Sequence, residues 1–178
     1  MRKKPAQRVV LTGFMAAGKT TVAARLARRL NCRMIDLDEY ITAREGRSIS
    51  SIINEDGERG FRELETRALL DALRDEAARV IALGGGTWTI EKNRALLKEH
   101  DCLSVWLDAP FELCWKRINS QSNPRPLARD QRSARQLYEA RLSSYALARL
   151  RVIVDESRSV EVLALTIEEA LFRQAGLH

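Results

Sequence analysis

Gly13-Phe14-Met15-Ala16-Ala17-Gly18-Lys19-Thr20 satisfies the spacing GxxxxGK[ST]. In that pattern backbone N–H groups and a helix N-terminus cradle phosphates, the lysine reaches the β and γ phosphates, and the hydroxyl faces magnesium. The expected nucleotide contacts are Gly13, Ala16, Ala17, Gly18, Lys19, Thr20 and Thr21, with Lys19 also acting on the reacting phosphate. The chain contains neither NKxD nor DxxG, which argues against a GTPase. The loop does not name the phosphate acceptor.

Four further groups of residues could. Asp36 and Asp38 stand two apart after an apolar run, so one carboxylate can serve magnesium while the other takes a proton from a hydroxyl. For the metal, Asp36 is favoured over Asp108, whose following Ala-Pro reads as a helix start with Asp108 near the cap. Asp38 is either a general base or a helix cap. Arg62 and Glu65 lie one helical turn apart, the spacing of an ion pair on a solvated face. Gly84-Gly85-Gly86 gives up backbone entropy and makes sense where chain and ligand approach closely. Arg117, Arg125, Arg129, Arg132, Arg135 and Arg141 gather in and around Asn119 to Arg135. With no aromatic residues interleaved to stack bases, they suit an arginine-bearing lid over a phosphoryl-transfer site better than a nucleic-acid surface.

These residues need a scaffold, and hydrophobic periodicity supplies one. Arg8 to Thr12 is a short β-branched run. It is followed from Gly18 by a helical face of Val22, Leu26 and Leu30. Met34 to Leu37, Arg79 to Leu83, Cys102 to Leu107 and Arg151 to Val154 predict four more strands, and Val160 to Phe172 a last helix. Such alternation predicts a parallel five-stranded sheet sandwiched by helices, in an α/β phosphate-loop nucleotide-hydrolase fold. Ligands then belong at the carboxyl ends of the strands.

At 178 residues, with 45% hydrophobic and 30% charged, the chain predicts one globular domain over residues 1–178 with a mobile lid over about 119–135. No apolar run reaches the roughly 20 residues of a membrane helix, and no leader is evident, so a cytoplasmic location is expected. Cys32, Cys102 and Cys114 lack CxxC spacing and read as reduced thiols. The net charge of +6 suits small anionic substrates as well as nucleic acid.

Taken in order, GFMAAGKTT, IDLD, DGERGFRELE, ALGGGTW, RPLA and LYEARLSSY resemble the shikimate kinase family, a branch of the small phosphate-loop kinases related to nucleoside monophosphate kinases. The resemblance runs from about Val9 to Val154. It implies transfer of the ATP γ-phosphate to the 3-hydroxyl of shikimate, a step of chorismate and aromatic amino acid biosynthesis, by a monomer that binds neither nucleic acid nor membrane. It implies that Asp38 bonds shikimate hydroxyls and serves as base, and that Arg62 and Arg141 grip the shikimate carboxylate. It further implies that Gly84, Gly85 and Gly86 line the same pocket, that Arg125 touches the transferred phosphate, that Arg117 lies against adenine, and that Asp36 sits near magnesium with Thr20. Where the family has glycine, position 16 is alanine, an exchange that suits a negative φ; a proline common after the second arginine is absent from Leu142-Ser143-Ser144-Tyr145. Two alternatives are a kinase of another small hydroxy acid or polyol such as gluconate, and a nucleic-acid-binding ATPase.

Overall fold

A computed structural model describes residues 7–120, 130–174 and 176. Five strands, β1 (Val9–Thr12), β2 (Arg33–Asp36), β3 (Ala78–Ala82), β4 (Leu103–Asp108) and β5 (Leu150–Ile153), form one sheet in the order β2-β3-β1-β4-β5. Every pairing is parallel, with Leu11 opposite Ala82 on one side and Val105 on the other. All of β1 is buried, and so is β4 up to Leu107, so both faces of the central strands must be covered. The helices that cover them are α1 (Lys19–Leu30), α2 (Leu37–Glu45), α3 (Ile49–Arg74), α4 (Glu91–Glu99), α5 (Phe111–Asn119), α6 (Gln131–Tyr145) and α7 (Val160–Gln174). A 3-10 turn occupies Thr87–Thr89.

The expected sheet is confirmed, each strand lying within one residue of its sequence-based bounds. The direction of chain progression reverses at β1: β3 lies on one side of it and β4 on the other. The crevice at such a reversal is where α/β sheets bind ligands. The loop after β1, the acidic end of β2 and the glycines after β3 all open onto it.

Local chemistry explains the element ends nearest the site. Asp36 caps α2, its Oδ1 accepting from the backbone N–H groups of Asp38 and Glu39 at 3.0 and 3.2 Å. The capping alternative for Asp38 is therefore corrected: Asp38 is the second residue of α2, inside its first turn, and the helix begins at Leu37 rather than at Glu39. Asp108 does not cap α5 either. The cap position is Pro110, without a side-chain bond, and Asp108 pairs with Arg151 at 2.6 Å. α3 is broken at Gly57, where φ 76° and ψ 168° leave the helical region.

Asn119 ends α5 and Gln131 opens α6, so the segment expected as a lid, 119–135, takes in the first residues of α6, and its residues 121–129, with Arg125 and Arg129, lie outside the described residues. Arg135, expected in the lid cluster, instead pairs with Glu112 at 2.8 Å and lies over the Phe111 ring.

The three cysteines form no disulfide. Burial pushes the thiols of Cys102 and Cys114 up to about 11, whereas Cys32 is half-buried. Because the thiolate is the reacting species, a disulfide reagent at pH 8 is expected to modify Cys32 first and the other two only on unfolding. Comparable rates at all three in the native protein would contradict that burial.

Candidate active site

The phosphate loop runs from the end of β1 into α1, whose first turn carries Lys19, Thr20 and Thr21 with no side-chain cap over its N–H groups. Its first glycine is a steric necessity. Gly13 has φ 142°, and a Cβ there would stand 2.6 Å from the carbonyl oxygen of Leu107. Lys19 Nζ donates to the carbonyls of Gly13 and Phe14, both at 2.9 Å, which draws the loop around the ammonium.

Ala16 departs from expectation: its φ is +60°, not negative. Left-handed backbone costs a side chain bearing a Cβ about 1–2 kcal/mol. One contact braces it, because Arg117 Nη1 on α5 donates to the Ala16 carbonyl at 3.1 Å across 101 positions of chain. Ala16→Gly removes the strain but frees the unfolded chain by about 0.4–1 kcal/mol. The strain term is the larger, so this variant is expected to melt about 2 °C higher by calorimetry; a lower melting temperature would show that the loop carries no strain at Ala16.

A cavity of about 340 Å³ lies over this loop, walled by Ala16 to Val22 on one side and by Asp36, Asp38 and Arg117 on others. Thr20 Oγ1 and Asp36 Oδ2 face each other there at 2.5 Å. Gly13 is not in the wall; its part is to hold Lys19. The remaining wall comes from Leu83 just after β3 and from Val154, Arg158, Val160 and Leu163, the last four of which sequence reasoning missed as site residues. Position offered the only signal: these four follow the fifth strand at its carboxyl end, Val154 before and Arg158 within the polar residues 155–159 and the other two in the first turn of α7, without a motif.

A second cavity, of about 80 Å³, adjoins it. Its polar wall is Asp38, Arg62, Glu65, Gly85, Gly86 and Arg141, and its apolar wall includes Met15, Ile49, Ile53 and Phe61. Asp38 belongs to both cavities, so one carboxylate stands where they meet. Arg62 pairs with Glu65 at 2.5 Å and with Glu58 at 3.0 Å. This is not the solvated surface pair that the spacing suggested, since Glu65 is 1% exposed. Burial works to lower the Arg62 pKa, but the charges and hydrogen bonds of Glu65 and Glu58 outweigh it, and the guanidinium is held more firmly protonated than usual. Arg141, 7% exposed on α6, makes no ion pair with a carboxylate among the described residues.

The three glycines are explained by their neighbours. A Cβ on Gly84 would stand 2.6 Å from Glu65 Oε1 and 2.8 Å from Asp38 Oδ1. One on Gly86 would stand 2.6 Å from the Arg62 guanidinium carbon, and one on Gly85 3.1 Å from Arg141 Nη1. What needs the close approach is the protein's own charged groups, which the glycines let sink against the backbone. Gly85 and Gly86 reach the cavity wall, whereas Gly84 lies beneath Glu65 and Asp38.

The two cavities thus join a site suited to polyphosphate with one suited to a small anion, and Asp38 between them can accept a proton from a hydroxyl. A family model described as shikimate kinase matches residues 15–172. The shikimate kinase of Cereibacter sphaeroides is 40% identical over 92% of this chain and 81% of its own. That of Ruegeria pomeroyi is 40% identical over 92% and 84%. The structure of shikimate kinase from Acinetobacter baumannii in complex with shikimate superposes with a TM-score of 0.88 at 31% identity, covering 96% of each chain.

Proposed function

The chain belongs to the shikimate kinase family, and on that premise we propose how its residues carry out the family's reaction. It is an ATP-dependent kinase that transfers the γ-phosphate to the 3-hydroxyl of shikimate, releasing ADP. The observation that carries this reading is the Asp38 carboxylate shared by a phosphate-loop cavity and a cavity holding two guanidinium groups.

The α1 N-terminus and Lys19 bind the phosphates, and Lys19 leaves its two carbonyl partners to follow the charge that develops on the transferred group. Arg62 and Arg141 bind the substrate carboxylate, a task that suits planar paired donors. An uncharged polyol would leave both guanidinium groups without an anion. Asp38 orients the acceptor hydroxyl and receives its proton as the oxygen attacks phosphorus. Arg117, tied to the Ala16 carbonyl, borders the nucleotide side.

Magnesium suits the residues present. Thr20 and Asp36 offer oxygen donors side by side, and no cluster of three or more His, Cys, Asp or Glu side chains forms a metal cage among the described residues. Magnesium commonly takes only one or two protein ligands and completes its shell with phosphates and water. The ion would be held by Thr20 and Asp36, and when bound it supplies positive charge to the phosphates.

The same reading makes the protein a cytoplasmic monomer with no nucleic-acid or membrane partner. In support, Arg25, Arg29, Arg33, Arg44 and Arg47 each face a carboxylate, which breaks up the basic surface. No helix among the described residues is long and apolar enough to cross a membrane.

The test is ADP release by the purified protein with shikimate, gluconate or no acceptor, with the phosphorylated product identified by phosphorus NMR. Release dependent on shikimate is expected; equal release with gluconate, or none with shikimate, would overturn the assignment.

A further inference from the structure

Arg62 and Arg141 stand on different helices, and a carboxylate can be held by both only if their separation is kept. The segment between them, Gly84 to Trp88, packs against both helices through its 3-10 turn. Toward α3, the Thr87 hydroxyl donates to Glu65 Oε1 at 2.5 Å, while Glu65 Oε2 holds Arg62 at the same distance. Each oxygen of that buried carboxylate thus has one partner. If the hydroxyl were lost, the carboxylate could rotate and its Oε1 would lack a donor. Toward α6, the Tyr145 hydroxyl donates to the Gly85 carbonyl at 2.7 Å, and Trp88 Nε1 donates to the Ser144 carbonyl at 2.8 Å. Tyr145 follows Arg141 by four residues, so both project from one face of α6. Asn93 braces the segment from behind, donating to the Thr87 carbonyl at 2.9 Å and accepting from Thr66 of α3 at 2.9 Å. Thr87, Asn93 and Tyr145 are all 0% exposed.

We propose that Thr87 and Tyr145 are positioning residues, which clamp the Gly84–Trp88 segment at both ends and so set the spacing of Arg62 and Arg141 for a carboxylate-bearing acceptor. Neither residue lines the acceptor cavity; Thr87 acts on Arg62 through Glu65, and Tyr145 acts through Gly85, which lies beside Arg141. The proposal rests on the assignment of shikimate as acceptor, and the experiment separates the two.

Thr87→Val and Tyr145→Phe keep shape and remove one hydroxyl each. A hydrogen bond lost in a buried place shifts an equilibrium by about one order of magnitude. Each variant is expected to raise the KM for shikimate about tenfold while the KM for ATP and kcat stay within about twofold. Thr87→Ser, which restores the hydroxyl, is expected to return the wild-type KM. The carboxamide of shikimate supplies the decisive readout. Because it presents no carboxylate to the two guanidinium groups, its KM should differ less than about twofold between wild type and either variant. A shikimate KM unchanged in both variants, or a penalty equal on acid and amide, would overturn the proposal. If Thr87→Val does not fold, Tyr145→Phe with the same two acceptors decides the matter. A wild-type protein inactive on shikimate would instead overturn the functional assignment.

Discussion

Arg62→Ala is expected to raise the KM for shikimate by two to three orders of magnitude, to leave the KM for ATP within about threefold, and separately to destabilise the fold. Truncating one side of a buried, hydrogen-bonded charge pair costs about 2–5 kcal/mol, and each 1.4 kcal/mol is tenfold in affinity. Arg62 sits in the small cavity with its side chain 19% exposed, so water cannot substitute well for it. The phosphate loop is built from other elements, and its wall does not include Arg62.

The loss of stability has a different cause. Glu65 is 1% exposed, and without Arg62 it keeps, among the described residues, only the Thr87 hydroxyl as a hydrogen-bond partner. Stranding a buried charge in this way costs about 3–5 kcal/mol. The double variant Arg62→Ala with Glu65→Gln removes that charge, and is expected to regain most of the melting temperature while the shikimate KM stays high. Equal rises in both KM values for Arg62→Ala, or recovery of the shikimate KM in the double variant, would contradict the placement of Arg62 on the acceptor.

Asp38→Asn is the second large effect, and it falls on kcat. The side chain keeps its size and can still bond a hydroxyl, but the amide takes no proton. General base catalysis contributes about 10²–10⁴-fold, so kcat is expected to drop roughly a thousandfold with the KM for shikimate changed by only a few-fold. Stability should change little: Asp36, not Asp38, caps α2, and Asp38 is half-buried at the junction of two cavities. Initial rates at saturating ATP and shikimate, with melting curves on the same samples, test this. If Asp38→Asn stays within about threefold of wild-type kcat while Asp38→Ala does not, Asp38 orients the hydroxyl and takes no proton in the rate-limiting step.

The two halves of the site were unequally legible, for physical reasons. The phosphate grip is contiguous: strand, loop and helix follow within a dozen residues, and its donors are largely backbone N–H groups. Gly13 to Thr21 could therefore be read from spacing alone, as could five strands in a parallel sheet, though not their order in it. The smaller cavity, proposed to take the acceptor, draws on the loop after β1, α2, α3, the turn after β3 and α6. The spacing of Arg62 and Glu65 is the same for a surface ion pair as for a buried one, so only the resemblance, not the periodicity, pointed to Arg62. Tyr145 and Thr87 carry no motif at all; their hydroxyls matter because of the chain that passes beside them.

By itself, the sequence determined the strands, the phosphate loop, the triple glycine and the acids at the end of β2, because each depends on residues near one another in the chain. Tertiary structure decided the rest. It buried Glu65 against Gly84, set Asp38 between two cavities, and brought Arg141 beside Gly85. It also placed Ala16 at positive φ, which side-chain size alone would disfavour, with an arginine from α5 holding its carbonyl. Burial and charge pairing depend on which elements pack together, and packing joins residues that no local pattern relates.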